Sequence, residues 1–310
     1  MDLLYTLGGA AVLILGAELL LRGAVHLAFR ARISPLVVGL TVVSLGTSLP
    51  ELLVSLVAAL KGSPEIAIGN VVGSNIANIS LVLGACVVVF PIDVDREARR
   101  IHWPVMMAAT LLFVLFLADD RVARWEGLLF VVALVAYVSW MIIRSRRQGR
   151  RSAEQPLRTT MPVGRALLFL IIGAAGLGFG SGWFVDGASG LARGLGVSER
   201  LIGVTIVAVG TSMPELIASL VAAFRKQPDI SLGNLVGSNI FNILFIIGTS
   251  ATITPIEASL DTFRTDLVMM TAIALLLYPM MRFGDRVGRW QGVGLLALYV
   301  GYMVLTLVQG

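Results

Sequence analysis

Apolar runs of about 20 residues recur along the whole chain, separated by short stretches of arginine, aspartate, proline or glycine. That is the length an α-helix needs to cross the hydrocarbon of a bilayer. The pattern predicts helices over 4–28, 35–60, 66–91, 103–118 and 125–144, then over 164–190, 199–224, 230–255, 266–282 and 290–308. Two of these, 103–118 and 266–282, are short and need tilt or help from their flanks. Ten transmembrane helices in two sets of five describe an all-α integral membrane protein. An odd number of crossings per set starts the second set from the opposite side of the membrane, which gives two inverted-topology repeats.

The two sets are also related residue by residue. Gly46-Thr47-Ser48-Leu49-Pro50-Glu51 returns as Gly210-Thr211-Ser212-Met213-Pro214-Glu215. Gly69-Asn70-Val71-Val72-Gly73-Ser74-Asn75-Ile76 returns as Gly233-Asn234-Leu235-Val236-Gly237-Ser238-Asn239-Ile240. The offset is 164 in both cases (46 to 210, 69 to 233). Polar and ionisable residues inside an apolar run are costly in a membrane and mark functional sites.

On a helix, Thr47 and Glu51 share one face, with Ser48 on its flank. Pro50 lacks an N–H and clashes one turn back, so it predicts a kink or break that frees carbonyls near Ser44 and Leu45. In the next helix Ser74 and Asn78 again share a face, and Gly69 and Gly73 let another backbone approach. The second half supplies Thr211, Ser212, Glu215, Ser238 and Asn242, with Ala208 in the place of Ser44. Pooled near the midplane, these are carboxylates, hydroxyls, amides and carbonyls with no imidazole or thiol. Such an all-oxygen set suits Ca²⁺ or Na⁺ and argues against Zn²⁺ or copper. Two buried glutamates would repel each other unless a cation or a proton lay between them.

Composition agrees with the pattern. Mean hydropathy is +0.89 and 14% of residues are charged, against about 25% in soluble domains. A net charge of +5 and a pI near 9.9 do not indicate nucleic acid, because the arginines sit in short loops. Residues 145–162 are Arg-rich and end in prolines, and read as a linker between halves 1–144 and 163–310. By the positive-inside rule this linker is cytoplasmic, with Arg30, Arg32, Arg96, Arg99, Arg100, Arg225, Lys226, Arg282, Arg286 and Arg289 on the same side. Both termini then lie outside. The single cysteine, Cys86, excludes an intramolecular disulfide. Glu18 and Arg22 in the first apolar run weigh against a cleaved signal. Glu18 and Asp186 have no match in the repeat and receive no role. His26 and His102 read as interfacial, and Asp93, Asp95 and Glu97, beside Arg96 and Arg99, as a solvated loop.

The doubled GTS-x-PE and GN-x-VGSNI blocks resemble the α-repeats of the Ca²⁺:cation antiporter superfamily, and within it the prokaryotic sodium/calcium exchangers. The resemblance spans nearly the whole chain. It implies Na⁺-driven Ca²⁺ exchange by alternating access in a prokaryotic inner membrane, electrogenic at about three Na⁺ per Ca²⁺. It assigns ion ligands to Thr47, Ser48, Glu51, Ser74 and Asn78, to Thr211, Ser212, Glu215, Ser238 and Asn242, and to the carbonyls of Ser44 and Ala208. The helices near 4–28 and 164–190 become a long pair that slides across the site. K⁺-dependent relatives carry Asp where this chain has Asn78 or Asn242, so K⁺ independence is expected. No cofactor and no obligatory protein partner is implied; the partners are the ions and the lipid bilayer. A Ca²⁺/H⁺ antiporter using the same glutamates is the alternative. A cation channel fits the inverted repeat poorly. An intramembrane serine protease built on Ser48 or Ser212 lacks a histidine in the relevant helices, so a transporter rather than an enzyme is expected.

Overall fold

The computed structural model describes residues 1–151, 161–202, 205–206 and 208–309. The chain folds as helices α1 (Asp2–Ala31), α2 (Pro35–Thr47), α3 (Leu49–Leu60), α4 (Pro64–Val89), α5 (Ala98–Asp119), α6 (Arg124–Arg151) and α7 (Val163–Gly194). These are followed by short α8 (Glu199–Ile202) and α9 (Ala208–Thr211), then α10 (Met213–Phe224), α11 (Pro228–Ile253), α12 (Leu260–Arg282) and α13 (Arg289–Gln309). Among the described residues seven helices are long and apolar enough to cross a membrane: α1, α4, α5, α6, α7, α11 and α13. The pair α2 and α3 makes an eighth if counted as one span bent by 48°.

Burial separates the helices into two kinds. Helix α11 is enclosed over 94% of its most apolar window and α4 over 78%, whereas α1 and α7 are enclosed over 28% and 22%. Helices α4 and α11, which carry the second motif of each half, are therefore surrounded by protein, whereas α1 and α7 leave much apolar surface uncovered. The expected short helices gain their length from their flanks. Residues Ala98–His102 form a π turn that runs into Trp103–Phe116, and the later helix starts at Leu260. The helix expected to end at 144 continues to Arg151, so the first residues of the expected linker are helical. Arginine is a good helix former and its long stem lets the charge reach water. Residues 152–160 of that linker lie outside the described residues.

Helices α1 and α7 pack antiparallel, backbone on backbone. A Cβ on Gly16 would come within 2.9 Å of Gly173 O, and one on Gly180 within 3.0 Å of Gly9 O. Gly9, Gly16 and Gly23 are spaced by seven residues, as are Gly173, Gly180 and Gly187. Small residues at this spacing give a smooth seam and the close approach on which helix association in lipid depends.

Outside the helices, the halves are stitched together reciprocally. Strand β1 (Ile92–Asp93) pairs antiparallel with β4 (Arg286–Val287), and β2 (Arg121–Val122) with β3 (Ile256–Glu257). Next to the first ribbon Arg99 pairs with Asp285 and holds that exposed carboxyl below its ordinary range. His102, expected at the interface, is buried and shares a 2.6 Å hydrogen bond with Tyr137; His26 is buried as well. Aromatic and apolar neighbours enclose rings that sequence position alone placed at a helix end.

Candidate ion-binding site

Proline sets the local geometry of both motifs. Pro50 and Pro214 sit in the first turns of α3 and α10, where a missing N–H costs nothing. The residues just before those helices leave the regular helix region: Ser48 has φ −87°, ψ 6° and Ser212 has φ −91°, ψ 4°. The glutamates that follow are 2% and 1% exposed. The carbonyl four residues before Pro214, Gly210 O, loses its helical donor and accepts instead from Ser181 Oγ at 2.6 Å.

The freed carbonyl expected at Ser44 is not free. Ser44 O accepts from Ser48 N at 2.9 Å and from Thr47 Oγ1 at 3.3 Å, because the helix holds its bonding up to Ser48 before breaking. Ser44 Oγ is also committed, lying 2.7 Å from Gly39 O and 2.9 Å from Asn234 O. Ala208 opens α9, and its side chain is outside the described residues.

The second polar element of each half is a widened turn. Helix α4 changes to a π turn over Asn78–Leu83 and α11 over Asn242–Ile247, each beginning on the asparagine of the motif. Single π turns inside α-helices are frequent at functional sites because they re-aim side chains. Here they turn Asn78 and Asn242 toward the other half. Asn78 Nδ2 donates to Asn239 Oδ1, and Asn242 Nδ2 to Asn75 Oδ1, both at 3.0 Å. Asn75 and Asn239 in turn donate to each other's backbone carbonyls at 3.5 and 3.4 Å.

This exchange uses one amide hydrogen of each and leaves Asn78 Oδ1 and Asn242 Oδ1 as buried acceptors without a protein donor. They are not alone. Glu51 Oε2, Glu215 Oε2, Ser74 Oγ, Ser238 Oγ and Ser212 Oγ are likewise buried with no protein partner. Each such atom costs roughly 1–3 kcal/mol, so seven cost on the order of 10 kcal/mol. That rivals the whole net stability of a typical domain, about 5–15 kcal/mol. An arrangement so expensive is built for something that binds oxygen.

The two carboxylates interact directly, and Ser48 Oγ donates to Glu215 Oε1 at 3.1 Å across the halves. Thr47 Oγ1 lies 3.3 Å from Asn234 Oδ1. Thr211 lines a cavity of about 230 Å³ whose wall also includes Pro50, Glu51, Asn70, Ser181 and Asp186. A larger groove of about 760 Å³ shares Pro50, Val54 and Gly178 with it but is walled by apolar side chains such as Leu45, Leu53 and Phe179. The larger space is almost wholly apolar; the polar chemistry lies in the smaller one.

A family model for the sodium/calcium exchanger protein matches residues 1–143 and 165–308. The chain belongs to the sodium/calcium exchanger family. It is 39% identical to the putative antiporter CaxA of Alkalimonas amylolytica, covering 97% of each chain. It is 31% identical to the sodium/calcium exchanger MaX1 of Methanosarcina acetivorans, covering 98% of each. Its fold matches a solved structure of the sodium-calcium exchanger NCX_Mj, soaked with zero Na⁺ and Ca²⁺, with a TM-score of 0.83 and 32% identity over 98% of both chains. The relatives are named antiporters and exchangers, which are transporters rather than enzymes. Neither serine of the protease reading is bonded to a histidine in the structure: Ser48 donates to Glu215, and His102 is engaged with Tyr137.

Four residues of the exchanger site escaped the sequence reading. Asn70 and Asn234 bond Ser55 and Ser219 at 2.9 and 3.0 Å, and so fix the helices that carry Glu51 and Glu215. The signal was present, since both asparagines and both serines repeat at the same offset of 164.

Proposed function

We propose that this protein exchanges Na⁺ for Ca²⁺ across a prokaryotic inner membrane by alternating access. The observation that carries the reading is the set of seven partnerless buried oxygens around two adjacent carboxylates, drawn from both motifs. Ca²⁺ takes six to eight oxygens and tolerates irregular geometry, and Na⁺ is served by the same hard donors. Glu51 and Glu215 hold Ca²⁺, with Ser74, Ser238, Asn78 and Asn242 supplying neutral oxygens and Thr47, Ser48, Thr211 and Ser212 completing the Na⁺ positions. Backbone carbonyls at Ser44 and Ala208 join this set by likeness to the family, Ser44 O only if it gives up Ser48 N.

The architecture we infer is ten transmembrane helices in two inverted five-helix repeats, with α2–α3 and α8–α10 as broken spans. The Arg-rich linker is cytoplasmic and the termini outside, which places the cavity beside Glu51 on the outer side. The glycine seam between α1 and α7 supports their moving as one body across the site.

Proteoliposomes loaded with Na⁺ test this directly: Ca²⁺ uptake follows the Na⁺ gradient and is absent when choline replaces Na⁺. Uptake that follows a pH gradient without Na⁺ would instead select H⁺ coupling through the same carboxylates. With two acids and no Asp at positions 78 and 242, three Na⁺ leave about one net positive charge in transit. Exchange then responds to an ionophore-clamped voltage and needs no K⁺; voltage-insensitive or K⁺-requiring flux would overturn those two assignments.

A further inference from the structure

We propose that Asp186, at the mouth of the cavity between α7 and α3, is a cation-recruiting carboxylate for the ion site. The proposal rests on the ion-site reading above and assigns a role to a residue outside the repeated motif. Asp186 stands exposed on α7, on the same cavity wall as Ser181 and across from Glu51 and Asn70. The volume of about 230 Å³ holds several waters, each taking roughly 30 Å³ in the liquid. The cavity therefore has room for a hydrated cation beside Glu51.

Two side-chain donors of this wall, Ser181 and Asn70, are turned away from the space. Ser181 spends its proton on Gly210 O. Asn70 spends both amide hydrogens, on Glu51 O at 3.2 Å and Ser55 Oγ at 2.9 Å. These two residues offer the cavity lone pairs, beside the Thr211 hydroxyl, the partnerless Glu51 Oε2 and the Asp186 carboxylate. A path lined this way attracts a cation from mouth to floor. Position 22, which is 164 before Asp186 and matches it under the repeat, is Arg22, tied to Glu18 at 2.6 Å. The position equivalent to Asp186 thus carries the opposite charge.

The test is a sided one, in membrane vesicles of each orientation. Asp186→Asn should raise the KM for Ca²⁺ on the Asp186 face about three- to ten-fold at low ionic strength, the effect of one charge on a divalent ion near a wet surface. The maximal rate should change less than about two-fold and the KM on the opposite face not at all. The shift should shrink in about 0.3 M choline chloride, where charges are screened within a few ångströms. Asp186→Glu should retain the wild-type KM. An unchanged KM on the Asp186 face, or equal shifts on both faces, would overturn the proposal. Glu51→Gln in the same vesicles reads the underlying site: if it still transports Ca²⁺, the ion-site reading fails. If it is dead while Asp186→Asn behaves as wild type, only the recruiting role fails.

Discussion

Glu51 and Glu215 occupy equivalent places in two nearly identical motifs, yet their surroundings differ. Glu51 borders a cavity whose wall includes the exposed Val54 and Asp186. Around Glu215 the equivalent positions are shut: Ala218 (for Val54), Ala17 (for Ser181), Leu21 (for Val185) and Asn234 (for Asn70) are all fully buried. The glycines tell the same story. A Cβ on Gly237 would come within 2.8 Å of Leu40 Cα, whereas one on its counterpart Gly73 meets nothing within 4 Å among the described residues. Sequence symmetry with structural asymmetry is what a two-state transporter requires. If the two halves can exchange these arrangements, the site opens to the other side at little cost, because each half already knows both packings. The structure would then be one of the two end states.

The largest effect breaks the comparison at its centre. Glu51→Gln and Glu215→Gln should each lower Ca²⁺ exchange about 100-fold or more, since removing one partner from a buried charged site costs about 3–5 kcal/mol. The loss should be equal although only one glutamate borders the cavity. Proteoliposome flux with matched protein incorporation measures it, and near-normal flux in the Glu215 variant would mean the second motif is scaffold. Next in size is accessibility. Val54→Cys should react with a membrane-impermeant thiol reagent at least about 10-fold faster than Ala218→Cys, as expected when one site opens to water and the other only through a rare excursion. The native Cys86 is buried and adds little background. Equal rates would show that the asymmetry is not a property of the protein in its membrane.

Much of this was legible beforehand, for reasons that differ by residue. The span lengths follow from hydrocarbon thickness, and the bend at Ser48 from the missing N–H of Pro50. The candidate ligand residues stood out because polar atoms are expensive where they are placed. What was not legible is pairwise geometry. Nothing in the order of residues says that Ser44 O keeps Ser48 N, or that Asn75 and Asn239 would each accept an amide hydrogen from Asn242 and Asn78 and so orient those two amides. Asp186 was passed over because repeat symmetry served as the filter for function, and its counterpart is an arginine. The feature that departs from symmetry is invisible to a reading that searches for it.

The smallest effect concerns what holds the Glu215 side shut. Glu18 on α1 accepts from Arg22 at 2.6 Å and also pairs with Arg225, which caps the end of α10. These contacts tie α1 to the helix that carries Glu215. All three side chains are partly exposed, so each pair is worth only about 0.2–1 kcal/mol. Glu18→Gln removes both pairs while keeping shape and hydrogen-bonding capacity. It should therefore raise the population open on the Glu215 side by about two- to thirty-fold, the factor that about 0.4–2 kcal/mol for the two pairs together allows. The readout is the labelling rate of Ala218→Cys, which should rise by that factor, while Val54→Cys slows slightly as its own open state loses population. The opposite signs matter, because general loosening of the fold would speed both. An unchanged Ala218→Cys rate would mean that the closed side is held by the packing of Ala17, Leu21 and Ala218 alone, with the ion pairs as bystanders.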